Sequence, residues 1–141
     1  MVAYLEAVND DVRSKFGTLT LSGSSVTVVH SNDSALDPSA TYAVVNVGVS
    51  NNSQQTMGTS KRFRATGEVL CELWVPIATG ENDVEDLVEN VTNLFIAQTS
   101  TVSAHTIRYQ PAPAVLSTPI REEGHWSRTV RIPFTVDYFV T

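Results

Sequence analysis

The run Lys61-Arg62-Phe63-Arg64-Ala65-Thr66-Gly67-Glu68-Val69-Leu70-Cys71-Glu72-Leu73-Trp74-Val75-Pro76-Ile77 decides the architecture. Side chains of an extended chain alternate between two faces. Phe63, Ala65, Val69, Cys71, Leu73, Val75 and Ile77 share one of them. The other face begins polar, with Arg62, Arg64, Thr66, Glu68 and Glu72, and turns apolar only at Leu70 and Trp74. The pattern predicts one long strand, which Pro76 suits at its end because proline cannot donate a ladder hydrogen bond. Ala78-Thr79-Gly80 breaks the alternation, and the period then changes. Val84, Leu87, Val88, Val91, Leu94 and Phe95 form the single stripe of an amphipathic helix, expected to end near Gln98, where Thr99-Ser100-Thr101 takes over. Asn82 with Glu85 resembles a capping box. Glu81, Asp83, Glu85 and Asp86 crowd the first turns, where the positive end of the helix dipole favours acidic groups. A strand feeding a one-sided helix predicts a helix packed on a sheet.

Working outward, Leu5, Val8, Val12 and Phe16 predict a short helix over Tyr4 to Phe16, with Gly17 where a C-cap is expected. Thr18 to Leu21 and Ser25 to His30 are β-rich around Ser22-Gly23-Ser24 and predict a small hairpin. Ser31 to Ser39 reads as a loop. Thr41 to Ser50 predicts a strand, with Ala43, Val45, Val47 and Val49 on one face. The next ten residues, Asn51-Asn52-Ser53-Gln54-Gln55-Thr56-Met57-Gly58-Thr59-Ser60, are uncharged and show neither a helical nor a strand period. They predict a polar arm closing a long hairpin, and a connection of that length is unusual unless it is functional. After the helix, Thr106 to Gln110 predicts a strand, and Pro111, Pro113 and Pro119 suit extended or edge chain. Trp126 to Val140 predicts the last strand, with Val130, Ile132, Phe134, Val136, Tyr138 and Val140 inward and Thr129, Arg131, Thr135 and Asp137 outward. Pro133 predicts a bulge or an edge there. The expectation is a single α+β domain over 1–141. It has a mostly antiparallel sheet, one main amphipathic helix, a short N-terminal helix and the arm at about 51–60.

At 141 residues and 42% hydrophobic content the chain can build a core. Its net charge of -6 argues against non-specific affinity for nucleic acid, which needs clustered Lys and Arg. The sole cysteine, Cys71, lies on the apolar face of the central strand and reads as a small buried hydrophobe. The first fifteen residues mix acidic and basic groups without an apolar run, so no signal peptide is expected, and no segment has the length of a membrane span.

No catalytic signature stands out: there is no Gly-rich Lys loop, no cysteine pair and no G-x-S-x-G. Glu122, Glu123 and His125 could suggest a metal site or a small hydrolase, but no second histidine stands nearby, and carboxylates flanking a turn are common. No metal, cofactor or catalytic residue is therefore expected. His30 and His105 read as surface or satisfied residues, and Trp74 and Trp126 as core or interface. Lys61, Arg62 and Arg64 form the only basic cluster in the sequence. It reads as a solvated strand end or as an anchor for an acidic partner surface.

Lys61-Arg62-Phe63-Arg64-Ala65-Thr66-Gly67 leading to Trp74-Val75-Pro76, then Gly80-Glu81 and the helix, then Gly124-His125-Trp126 and Pro133-Phe134-Thr135-Val136-Asp137-Tyr138, form a combined pattern. A polar loop is followed by R-x-R-x-x-G opening a strand that ends in V-P, then a helix, and a Trp-containing strand closes the chain. Over roughly Thr41 to Val140 this resembles the tail terminator, or tail completion, proteins of long-tailed bacteriophages. The resemblance implies an α+β virion protein, not an enzyme, that forms a ring of six on the head-proximal end of the tail tube. Its partners would be its own copies, the tail tube protein and the head–tail connector. DNA would pass through without specific binding, and no membrane is involved. It would act in the virion tail after synthesis in the host cytoplasm. The interface expectation falls on Asn51, Asn52, Gln54, Gln55, Met57, Lys61, Arg62 and Arg64. The acidic side chains Glu81, Asp83, Glu85, Asp86 and Glu89 would line the channel, repelling phosphates from its wall. Rival readings are another neck or tail component, a small hydrolase, or a monomeric module that binds a ligand through the arm.

Overall fold

The computed structural model describes residues 4–21, 23–30, 41–58, 60–76, 81–110, 114–115, 120–122 and 125–140. The fold is mixed α+β and mostly sheet, with two helices among the described residues. Helix α1 spans Tyr4–Phe16. Strands β1 (Thr20–Leu21) and β2 (Ser24–Ser25) form a two-stranded antiparallel pair. The main sheet takes β3 (Thr27–His30), β4 (Tyr42–Gln54), β5 (Lys61–Pro76), β6 (Thr99–Val102), β7 (His105–Tyr109), β8 (Ala114–Val115), β9 (Ile120–Glu122) and β10 (His125–Val140). Helix α2, Glu81–Phe95, lies between β5 and β6 in the chain. The strand order is β3-β4-β5-β10-β7-β6, with β8 and β9 also on β10.

The predicted central strand is β5, and its partner β10 runs antiparallel to it from His125↔Pro76 to Val140↔Lys61. At about 3.3 Å per residue these 16-residue strands are roughly 50 Å long. The 15-residue α2, at 1.5 Å per residue, is about 22 Å long and cannot cover them end to end. The other edge of β10 is met in turn by β9, β8 and β7. Pro133 falls where β10 passes from β8 to β7. Its carbonyl accepts from Gln110 N at 3.0 Å, and since N and C=O of one strand residue point the same way, the missing donor faces that change of partner.

Helix α2 packs on β5 and β10 and α1 on β4, β6, β7 and β10; the two helices touch each other, and the core lies between them and the sheet. Val84, Leu87, Val88, Val91 and Phe95 of α2 are buried against Ala65, Val69, Cys71, Leu73 and Val75 of β5 and Val130, Ile132, Phe134 and Val136 of β10. In α1 the buried residues are Ala7, Val8, Val12 and Phe16. Leu5, expected in that stripe, is exposed, and the small Ala7 takes the covered place. The Tyr109 hydroxyl donates to Asp11 and ties α1 to β7, with burial first and that bond second pushing the phenol above its usual range.

Four local features differ from the expectations. Only β1 and β2 form the small hairpin. β3 instead joins the sheet parallel to β4, Thr27↔Tyr42 to His30↔Val45, a pairing that no local pattern specifies. α2 ends at Phe95, short of Gln98, through Ala97 at φ 54°, with Gln98 N donating to Phe95 O at 3.1 Å. The run after it forms β6, joined to β7 by Ser103 and Ala104 at φ 47° and 66°. Both central residues of this turn are left-handed, the geometry that usually calls for Asn-Gly. Finally, Asn51 to Gln54 are not loop: they continue β4 and pair with Thr66, Ala65, Arg64 and Phe63. Backbone donors and acceptors of β5 serve any side chain, so pairing overrides a run of poor strand formers.

That extension follows a bulge. Val49 pairs with Gly67 and Asn51 with Thr66, leaving Ser50 as the extra residue, its hydroxyl 3.2 Å from Thr66 O. A bulge bends the strand and increases its twist. Gly67 opposite it permits the close approach. A Cβ there would overlap the carbonyl oxygen of Gly48 and stand 2.9 Å from Phe134 Cζ and 3.0 Å from Val49 Cα. Gly67, the glycine of R-x-R-x-x-G, thus sets the point where the sheet bends.

Candidate assembly surface

Beyond the bend, β4, β5 and β10 end together. Their residues at this end, Asn51–Gln54, Lys61–Arg64 and Asp137–Val140, lie side by side. The connection closes tightly: Gln55 N donates to Arg62 O at 2.7 Å and Arg62 N to Thr56 Oγ1 at 2.9 Å. Gln54 Nε2 donates to Thr56 O and Gln55 Nε2 to Ser53 Oγ, both at 2.7 Å. Asn51, Asn52, Gln54, Gln55 and Lys61 are exposed, and Met57 is 93% exposed. Among the described residues five large hydrophobics are exposed, and Met57, Phe139 and Val140 of this end are three of them.

The helix-side surface of this end is aromatic. Phe63 stacks on Tyr138 at 5.6 Å, and Tyr138 stacks on Tyr4 at 5.3 Å. Asn52 Nδ2 donates to the Tyr138 hydroxyl at 2.9 Å. His105 is buried beside Tyr138, and its Nδ1 donates to Ser103 O at 2.8 Å.

On the opposite surface three arginines converge on one carboxylate. Asp137 accepts from Arg62 Nη2 at 2.8 Å, Arg64 Nε at 2.7 Å, Arg64 Nη2 at 3.0 Å and Arg108 Nη1 at 2.7 Å. These bonds, led by Arg64, hold the Asp137 carboxyl well below the usual carboxylate range against the opposing effect of its burial. The Arg64 guanidinium is correspondingly raised by Asp137. The basic cluster of the sequence is therefore partly engaged within its own chain. Arg108 and Asp137 were absent from the expected interface. The only available signal was alternation along β10, which puts Asp137 on the outer face, and Arg108 lies 29 residues away in sequence. Thr106, Ala104 and Phe139 complete a recess of about 210 Å³ beside the cluster.

The acidic residues of α2 divide. Glu85 pairs with Arg128 of β10, so its carboxylate is engaged across the helix–strand contact. Asp86 and Glu89 are exposed and Asp83 is half-buried, while the side chain of Glu81 lies outside the described residues. Glu122 and His125 are cross-strand partners of β9 and β10 by their backbones, and Glu123 lies outside the described residues. Among the described residues no group of three or more His, Cys, Asp or Glu is placed to hold a metal. Cys71 is fully buried, and burial pushes its thiol well above the usual range.

No family model matches the chain, and no curated protein does. A solved structure whose name states no function superposes with a TM-score of 0.68 at 14% sequence identity, over 94% of this chain and 98% of that one. At that identity the likeness concerns the fold alone: a mixed α+β chain with a curled, antiparallel-rich sheet is similar to it along nearly its whole length.

Proposed function

We propose that this protein is a virion structural protein, a tail terminator whose copies form a ring of six on the head-proximal end of a phage tail tube. The ring stops tube polymerisation and presents the surface for the head connector, without catalysis or cofactor. In this reading β4 and β5 form a long hairpin that carries the arm, and the two helices brace the sheet behind it. The observation that carries the reading is the shared end of β4, β5 and β10. It combines exposed Met57, Phe139 and Val140 with a polar rim of Asn51, Asn52, Gln54, Gln55 and Lys61. Apolar side chains exposed inside a polar rim are the composition of a surface covered on assembly. The sequence resemblance to tail terminators supplies the assembly. The net charge of -6 suits a channel that DNA passes without adhering.

The test is tube length. The connection Gln55 to Ser60 is replaced by a two-residue Asn-Gly turn, and the protein is mixed with polymerising tail tube protein from the same phage. Electron microscopy should show tubes of limited length, each carrying a terminal ring, with the intact protein. With the shortened protein, tubes should be overlong and the thermal midpoint of the subunit nearly unchanged. Tubes of limited length with the shortened protein would remove the arm from the reading. Intact protein distributed along tubes would point to a tube component instead.

A further inference from the structure

The cluster around Asp137 has a charge surplus. Three guanidinium groups surround one carboxylate, leaving two positive charges uncompensated. Asp137 takes four bonds, three on Oδ2 and one on Oδ1, whereas each guanidinium has five N–H donors, so most donors remain available. Arg62, Arg64 and Arg108 are 36%, 39% and 51% exposed, and Arg62 and Arg108 line the recess that Thr106 and Phe139 complete. Surplus charge, free donors and an exposed aromatic ring beside them make a receptor for carboxylates.

The complementary feature lies on the other side of the same chain. Asp86 and Glu89 are one turn apart on the exposed face of α2, whose opposite face packs on β5 and β10. The arginine recess is on the sheet surface facing away from the helices, since Arg62, Arg64 and Asp137 alternate with the buried Ala65 and Val136. One chain cannot bring the two together, but neighbouring copies can.

We propose that the recess lined by Arg62 and Arg108, beside Arg64, receives the Asp86–Glu89 stripe of a second copy of this chain. A surplus of two positive charges meets two carboxylates. Because the two surfaces differ, the contact is head-to-tail, which closes into a ring or runs on as a filament. The inference rests on the ring reading above and specifies its contact. A chain of net charge -6 with so confined a basic site is poorly suited to a phosphate backbone, which needs a longer tract.

Charge reversal with rescue tests it, read as oligomeric state by native mass spectrometry and sedimentation, with and without tail tubes. Arg62→Glu with Arg108→Glu turns the surplus of two positive charges into two negative ones and should raise the protein concentration needed for assembly by about tenfold or more, as like charges then face each other. Thr106→Glu, which leaves every arginine in place, should weaken assembly in the same direction and covers the case in which the double arginine variant misfolds. Asp86→Lys with Glu89→Lys should weaken assembly comparably to the double arginine variant. Joining the two glutamate and the two lysine substitutions in one chain should restore it. Assembly of the single-side variants at wild-type concentrations, or no recovery on combining them, would overturn this contact and leave the ring reading standing. A wild-type chain that stays monomeric even with tubes would overturn both.

Discussion

Gly67→Ala removes a specific tolerance of the sheet. The added Cβ would overlap Gly48 O and crowd Val49 Cα and the Phe134 ring. Two of these three are backbone atoms of β4, which cannot rotate away as a side chain tip can. Relief requires β4 to move off β5 at the bulge, weakening the ladder bonds on either side. Each contributes a net ~1 kcal/mol. Phe134 is buried and would be displaced from its packing at a further ~1 kcal/mol. Two weakened bonds and one displaced ring give about 3 kcal/mol, within the usual range for overpacking. For a chain of this size that is a fall in thermal midpoint on the order of 10 °C. Urea unfolding followed by circular dichroism measures it, with the slope unchanged if only stability changes. Gly48→Ala is the internal control, since nothing lies within 4 Å of a Cβ there, and it should be neutral or slightly stabilising. A loss below about 1 kcal/mol for Gly67→Ala, or equal losses for the two variants, would refute the close-approach argument.

Ala104 sits at φ 66° in the β6–β7 turn, a conformation that strains a residue bearing a Cβ. Ala104→Gly should therefore stabilise the fold by about 0.5–1 kcal/mol, and a loss on thermal unfolding would show that the left-handed geometry is not kept. Asp137→Asn should cost about 1–2 kcal/mol near neutral pH, a modest figure because its arginine partners are partly exposed. The sign follows from the depressed native carboxyl: as pH falls below the ordinary carboxylate range, near 4, the unfolded chain binds a proton that the native state still refuses. The contribution of Asp137 is then present above that range and lost as pH falls through its lower native value. The stability gap between wild type and Asp137→Asn, measured from pH 7 downward, should narrow below about pH 4. A gap independent of pH would show that the carboxylate contributes nothing through its charge.

The sequence by itself determined what depends on neighbours along the chain. Alternation from Phe63 to Val75 produces β5, and the stripe from Val84 to Phe95 produces α2, because burial of one face selects one period. Alternation from Trp126 to Val136 likewise shows in β10, and the positions of Cys71 and Leu87 in those patterns match their burial. Tertiary structure decided what depends on partners distant in sequence. Asn51 to Gln54 have poor strand composition yet extend β4, since β5 supplies their backbone bonds. Ser103 and Ala104 make a left-handed turn without Asn or Gly because β6 and β7 hold its ends in register. The Arg62, Arg64 and Arg108 cluster exists only because β5, β10 and β7 are adjacent. Asp137 lies 75, 73 and 29 residues from its three arginines. Period and composition report which face of an element is buried, whereas register between strands is a cooperative choice of the whole sheet, and it is register that brings those charges together.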